Sequence, residues 1–350
     1  MAKAWHGTAM RANRFDFLRL VFASTVFIYH LIVLAVLDVN GLWEPRLAAL
    51  AELSIQGFFI ISGALVYGSW ERSHSIADYA GKRFRRLYPA YAVIIVFPSL
   101  IALAQGGAVD AVMRYLGANL VFANFLAPTL PGLFESQRFE EVNGALWTLK
   151  IEVMFYVSLV ILGPVTIWLK RRSPRILFAF FIAIYFASEL WRLVFETMAV
   201  ERGELFFAQI ARQLPGQAAF FTTGIALWIW RDWTLQNLRA VSRLGLVLLA
   251  VSLTVPELDF LCAVGLTGAI AGLAWGRGPA IPAAKFGDIS YGLYICHFPI
   301  VQALIAAGLF AANPILGAAL SVTLVLLASF ALWYFVERPS LRPDSHYRSG

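Results

Sequence analysis

The segment "RLVFASTVFIYH" opens with Arg19, closes with His30 and is apolar between them. Eleven residues at about 100° each return to within about 20° of one helix face, about 16 Å further along the axis. Asp16, Ala23 and Val26 extend the same stripe. Ionisable groups in so apolar a stretch must face a bundle interior or a wet cavity. A second group of this kind is Glu152, in "GALWTLKIEVMFY". Lys150, two residues away, lies about 200° around a helix and points elsewhere. His30 and Glu152 are expected at a similar depth, where a carboxylate could orient an imidazole and favour its charged form. The chemistry these types could do is proton transfer.

Two further clusters stand out. In "GKRFRRLYPAY", Arg83 and Arg86 sit side by side at i and i+3, with Lys82 and Arg85 next to them; guanidinium forks suit phosphate and pyrophosphate. In "GDISYGLYICHFPI", Ser290, Tyr294 and His297 share nearly one stripe and line either a cavity or a helix seam. Asp16, Trp147, Ser290, Tyr291, Tyr294 and His297 are taken as supporting or cavity-lining residues. Glu337, in "FVERP", reads as a solvated charge at a helix end. Each cluster also has a structural reading: Arg19 reaching to lipid phosphates, His30 and Glu152 bonding neighbouring helices, Arg83 and Arg86 holding anionic lipid. No metal site is expected, because the five histidines are scattered and none has ligand spacing. Cys262 and Cys296 fall in apolar runs and read as small buried hydrophobes.

The elements that must position these groups are membrane helices. Of 350 residues, 60% are hydrophobic and 14% charged, and mean hydropathy is +0.71. Such a chain cannot hide its apolar surface as a soluble domain. Ten spans are expected, at approximately 15–37, 50–70, 87–104, 145–169, 176–195, 216–231, 243–255, 259–276, 288–311 and 314–336. Segment 111–127 is apolar but short, and reads as interfacial or re-entrant. The basic lead Lys3, Arg11 and Arg14 precedes a retained first span without a cleavage site. With that end inside, the cytoplasmic loops collect twenty basic residues, Arg277, Lys285 and Arg348 among them, against six outside. The expected fold class is therefore an all-α polytopic membrane protein, with about ten transmembrane helices and both termini cytoplasmic. It forms a single domain over 1–350, with an external loop at about 105–144 and no fused soluble domain. The net charge of +7 then reflects topology and attraction to lipid headgroups; no nucleic acid partner is implied.

Taken in order, "FDFLRLVFASTVFIYH", "GFFIISG", "KRFRRLYPAY", "ALWTLKIEVMFY", "ISYGLYICHFP" and "VERP" resemble the acyltransferase-3 family of membrane-bound O-acyltransferases, which modify cell-surface polysaccharides. The pieces run from residue 15 to residue 339, nearly the whole chain. The resemblance implies an acyl-CoA donor, usually acetyl-CoA, bound from the cytoplasm with no bound cofactor. It implies a glycan or lipid-linked oligosaccharide acceptor, as in exopolysaccharide or lipopolysaccharide O-antigen, and a bacterial inner membrane. Arg19 and His30 match the family's Arg-x10-His, Arg83 and Arg86 its Arg-x-x-Arg, and Glu152 its acidic residue. On this reading Arg19, Arg83 and Arg86 bind the donor, while His30 and Glu152 are catalytic. His30 acts as general base or is itself transiently acylated. The rival classes are a proton-coupled transporter, since deep His and Glu also relay protons, and a non-catalytic polysaccharide-assembly protein.

Overall fold

The structure is a computed structural model that describes residues 14–276, 288–343 and 345. Lys3, Arg11, Arg277, Lys285 and Arg348, counted above for orientation, lie outside the described residues. The helices are α1 Phe15–Leu34, α2 Glu44–Glu71, α3 Ile76–Ala104, α4 Val109–Asn119, α5 Trp147–Arg172, α6 Pro174–Arg202, α7 Leu205–Ala211 and α8 Leu214–Ile229. They continue with α9 Arg231–Gln236, α10 Leu238–Thr254, α11 Cys262–Trp275, α12 Ser290–Ala306, α13 Leu309–Ala312, α14 Pro314–Leu332 and α15 Arg338–Ser340. Among the described residues the β-type pairing is one isolated bridge, Leu130 with Leu133.

Among the described residues, seven helices are long and apolar enough to cross a membrane, and α12 is a shorter apolar one. The chain is an all-α polytopic membrane protein. Two expected spans, 216–231 and 243–255, are helices of 16 and 17 residues, short of the ~20 a full crossing takes. The most displaced boundary is at α3, which starts at Ile76, well before the expected residue 87. Its start is capped: Ser75 Oγ accepts from the Asp78 amide and the Asp78 carboxylate accepts from the His74 amide, a reciprocal cap. The arginine cluster is thus part of the helix and has a fixed face. Within the expected loop 105–144, α4 ends at Asn119, and 3₁₀ turns follow at Asn124–Leu126 and Gly144–Leu146.

The chain divides into two compact units. The first comprises Met1–Leu18, Gln56–Tyr79 and Ile151–Ile281. Small residues let its backbones approach, the usual means of packing helices in lipid. A Cβ on Gly63 would lie 2.1 Å from the Phe221 carbonyl oxygen, and one on Gly224 would lie 2.0 Å from that of Ile60, so α2 and α8 meet backbone to backbone. Phe155 stacks on Phe221 with ring centroids 4.2 Å apart. Cys262 here, like Cys296 in the other unit, is free and buried. The second unit comprises Arg19–Ile55, Ala80–Lys150 and Pro282–Gly350. It holds most of α1 and α3, the loop between α4 and α5, and α12 to α15. Ala23 and Val26 are fully buried, so the stripe through Arg19 and His30 faces protein.

Candidate active site

Two groups of polar residues in the second unit meet α1. Near its start, Arg19 Nη1 donates to Asp288 Oδ2 at 2.6 Å. Arg86, reaching in from α3, donates through Nη2 to the same Asp288 oxygen at 2.5 Å and through Nη1 to Glu337 Oε2 at 2.5 Å. Ser290 Oγ donates to the other Asp288 oxygen at 2.5 Å. Tyr291 carries the Arg86 guanidinium over its ring at 5.5 Å and gives its hydroxyl proton to the Leu87 carbonyl at 2.9 Å. Two cations and two anions, all but Arg19 fully buried, tie four elements together. Burial by itself opposes a charge on Asp288, yet Arg19 and Arg86 hold its carboxyl well below the usual carboxylate range.

Glu337 corrects an expectation. It is a buried ion-pair partner at 1% exposure, not a solvated helix end. The last span does not stop at Leu332; it continues through a π turn, Trp333–Glu337, which delivers the carboxylate to Arg86. Sequence reading also passed over Asp288. The available signal was electrostatic: two arginines on apolar helices need carboxylates, and Asp288 heads a polar stripe. Arg83 lies one turn before Arg86 on α3 and is partly buried, whereas Arg85 is exposed.

Three turns along α1 the second group begins. His30 Nδ1 and His297 Nε2 are 2.8 Å apart, the rings nearly parallel at 21° with centroids 5.0 Å apart. His297 is sealed at 0% exposure, while His30 remains partly accessible. Phe298 meets the His30 ring edge-on at 5.2 Å, and Phe27 lies 5.8 Å from His297. Tyr294 sits beside His297 and shares a hydrogen bond of 2.7 Å with Thr148. Pro299, inside α12, has no amide proton for the Ile295 carbonyl. Asn143 supplies one instead, its Nδ2 donating to Ile295 O at 2.8 Å. Asn143 also caps the turn leading into α5, so the outer segment is fastened beside the imidazoles. Gln302 reinforces the attachment from α12, its side-chain Nε2 donating to Phe139 O at 2.7 Å and its main-chain carbonyl accepting from Gln137 Nε2 at 2.8 Å. Asn143, Thr148 and Gln302 were not among the expected residues; the proline in "CHFP" was the clue that a partner was needed.

Within its own unit the partner of His30 is a second imidazole, which the sequence reading had given only a supporting place. Glu152, in the first unit, accepts from Ser62 Oγ at 3.2 Å and from the Tyr156 hydroxyl. Asp16 lies in the first turn of α1, partly buried, and Trp147 opens α5.

Helices of membrane length, with a partly accessible imidazole against a sealed one, define a membrane protein whose polar residues have the types that proton transfer uses. The Acyltransferase domain family matches residues 13–334, and the chain belongs to that family: it is a membrane acyltransferase. It is 27% identical over 360 aligned residues to Nodulation protein 10 of Rhizobium leguminosarum bv. viciae, covering 94% of this chain and 93% of that protein. It is 26% identical over 351 residues to the O-acetyl transferase of Shigella phage Sf6, covering 96% and 98%. With Peptidoglycan O-acetyltransferase OatA of Listeria monocytogenes serovar 1/2a it shares 23% over 330 residues, 82% of this chain and 49% of that one. No solved structure matches it. Family membership sets the transporter and scaffold readings aside.

Proposed function

We propose that the protein moves an acyl group, most simply acetyl, from acyl-CoA to a carbohydrate hydroxyl of a cell-surface polysaccharide, within a bacterial inner membrane. The observation that carries this reading is His30: an accessible imidazole with a sealed partner, in a chain whose relatives include two named O-acetyl transferases. The His30 ring takes the proton of the acceptor hydroxyl as its oxygen attacks the thioester carbonyl. The C–O bond forms, the C–S bond breaks, and the same ring returns the proton to the departing thiolate, giving an O-acyl glycan and free coenzyme A.

The donor's phosphates need cations. Arg19 and Arg86 already face Asp288 and Glu337, so in this proposal they brace helices. Arg83, with Lys82 and Arg85 on the same less buried stretch of α3, meets the phosphates. No step is routed through Glu152.

The test is purified protein in detergent with radiolabelled acetyl-CoA and a panel of bacterial glycans. Transfer of label to glycan that is lost in His30→Ala, with the protein still eluting as a folded species, supports the reading; transfer undiminished in that variant refutes it. Label trapped on His30 itself would replace the base role with an acyl-histidine intermediate.

A further inference from the structure

His297 Nδ1 lies 3.0 Å from the main-chain carbonyl oxygen of Leu293, one turn earlier on α12. A carbonyl can only accept, so that nitrogen carries the ring's proton. His297 is sealed from water among an imidazole, a carbonyl and aromatic rings, surroundings that favour the neutral ring. With its proton on Nδ1, its Nε2 presents a lone pair. The contact of 2.8 Å between that Nε2 and His30 Nδ1 then has one consistent polarity: His30 Nδ1–H donates. His30 Nε2 is left without a proton, and it has no hydrogen-bond partner among the described residues.

We propose that His297 is a positioning residue that fixes His30 as the Nδ1–H tautomer, holding Nε2 unprotonated toward the acceptor hydroxyl. The chain of command runs Leu293 carbonyl, His297, His30, and each member dictates the proton position of the next. When His30 Nε2 takes the hydroxyl proton, its Nδ1–H bond to His297 is kept, so the resulting imidazolium remains hydrogen-bonded on that side. An imidazole held by a main-chain carbonyl thus does what an orienting carboxylate does in other acid–base sites, without placing a permanent negative charge among apolar helices. His297, behind, is buried and His30, in front of it, is partly accessible, the order this relay requires. The inference rests on the reading of His30 as proton acceptor, but the proton position can be read without any turnover.

The experiment uses the full chain, labelled with nitrogen-15 histidine and purified in detergent, with His30→Ala identifying the His30 signals. Nitrogen shifts report which ring nitrogen bears the proton. The expected wild-type result is Nδ1 protonated and Nε2 bare on His30. In His297→Phe, which removes the acceptor, the His30 signals move toward the Nε2–H form that free histidine prefers. In the same variant kcat falls by about 100-fold with KM for acetyl-CoA little changed. His297→Gln, whose side-chain oxygen can accept near the same place, recovers part of the rate and the original tautomer. Wild-type His30 protonated on Nε2, or a tautomer indifferent to His297→Phe, overturns the proposal; should neither variant fold, the wild-type spectrum alone decides. A predicted spectrum alongside an active His30→Ala would instead fell the catalytic reading and leave the tautomer assignment standing.

Discussion

α1 carries two polar groups about three turns apart, and they are finished in opposite ways. Around Arg19 and Arg86 the charges cancel, two guanidiniums against Asp288 and Glu337. Around His30 one ring nitrogen is held by His297 and the other is left open. The first arrangement fixes where α1, α3, α12 and the end of α14 meet; the second leaves one atom with something still to do. Sequence presents both as ionisable residues on one apolar stripe. The difference lies in what other elements bring to them.

The comparison breaks first at its catalytic end. His30→Ala should lower the rate of acetyl transfer by about 10²- to 10⁴-fold while leaving elution volume and thermal midpoint near wild type; a variant that misfolds without a rate-specific loss would put His30 among the structural residues. Arg86→Ala should do the reverse in kind. It strands the buried Glu337 carboxylate and leaves Asp288 to Arg19 and Ser290, a loss of about 3–5 kcal/mol, visible as a large drop in thermal midpoint and in the yield of monodisperse protein. A normally stable Arg86→Ala with impaired donor binding would return that arginine to the phosphates.

Acid sharpens the contrast. Because the Asp288 carboxyl is depressed in the folded protein, its contribution is complete above about pH 4 and fades as pH falls further. Thermal midpoints followed from pH 7 to pH 3 should show a fall below pH 4 that Asp288→Asn flattens. A fall between pH 7 and pH 5 that the same variant removes would contradict the assignment. The smallest effect belongs to the outer segment, where Arg138 pairs with Glu44 at 2.8 Å while both remain substantially exposed. Glu44→Gln should change stability by no more than about 1 kcal/mol, measured by the same thermal assay.

The helices and several site residues were readable from local sequence. Apolar runs located the spans, and the eleven-residue interval correctly put Arg19 and His30 on an inward face, with Ala23 and Val26 buried between them. The partners were not readable. Glu337 pairs with Arg86 across 251 positions and His297 with His30 across 267, and periodicity within one helix carries no information on such meetings. Glu337 looked solvated because a charge after an apolar run ordinarily is; the π turn that carries it inward leaves no pattern in residue types. Asn143 was hidden for another reason: its task, replacing the proton Pro299 lacks, appears only when a loop and a helix are seen together.

Gly144 sits with the Phe298 ring so near that an added Cβ would stand 2.9 Å from it, and that ring in turn flanks His30. The His30 imidazole therefore has no slack on this side. A single methyl group at 144 would act as a wedge, driven through one aromatic plate into the seat of the reacting ring.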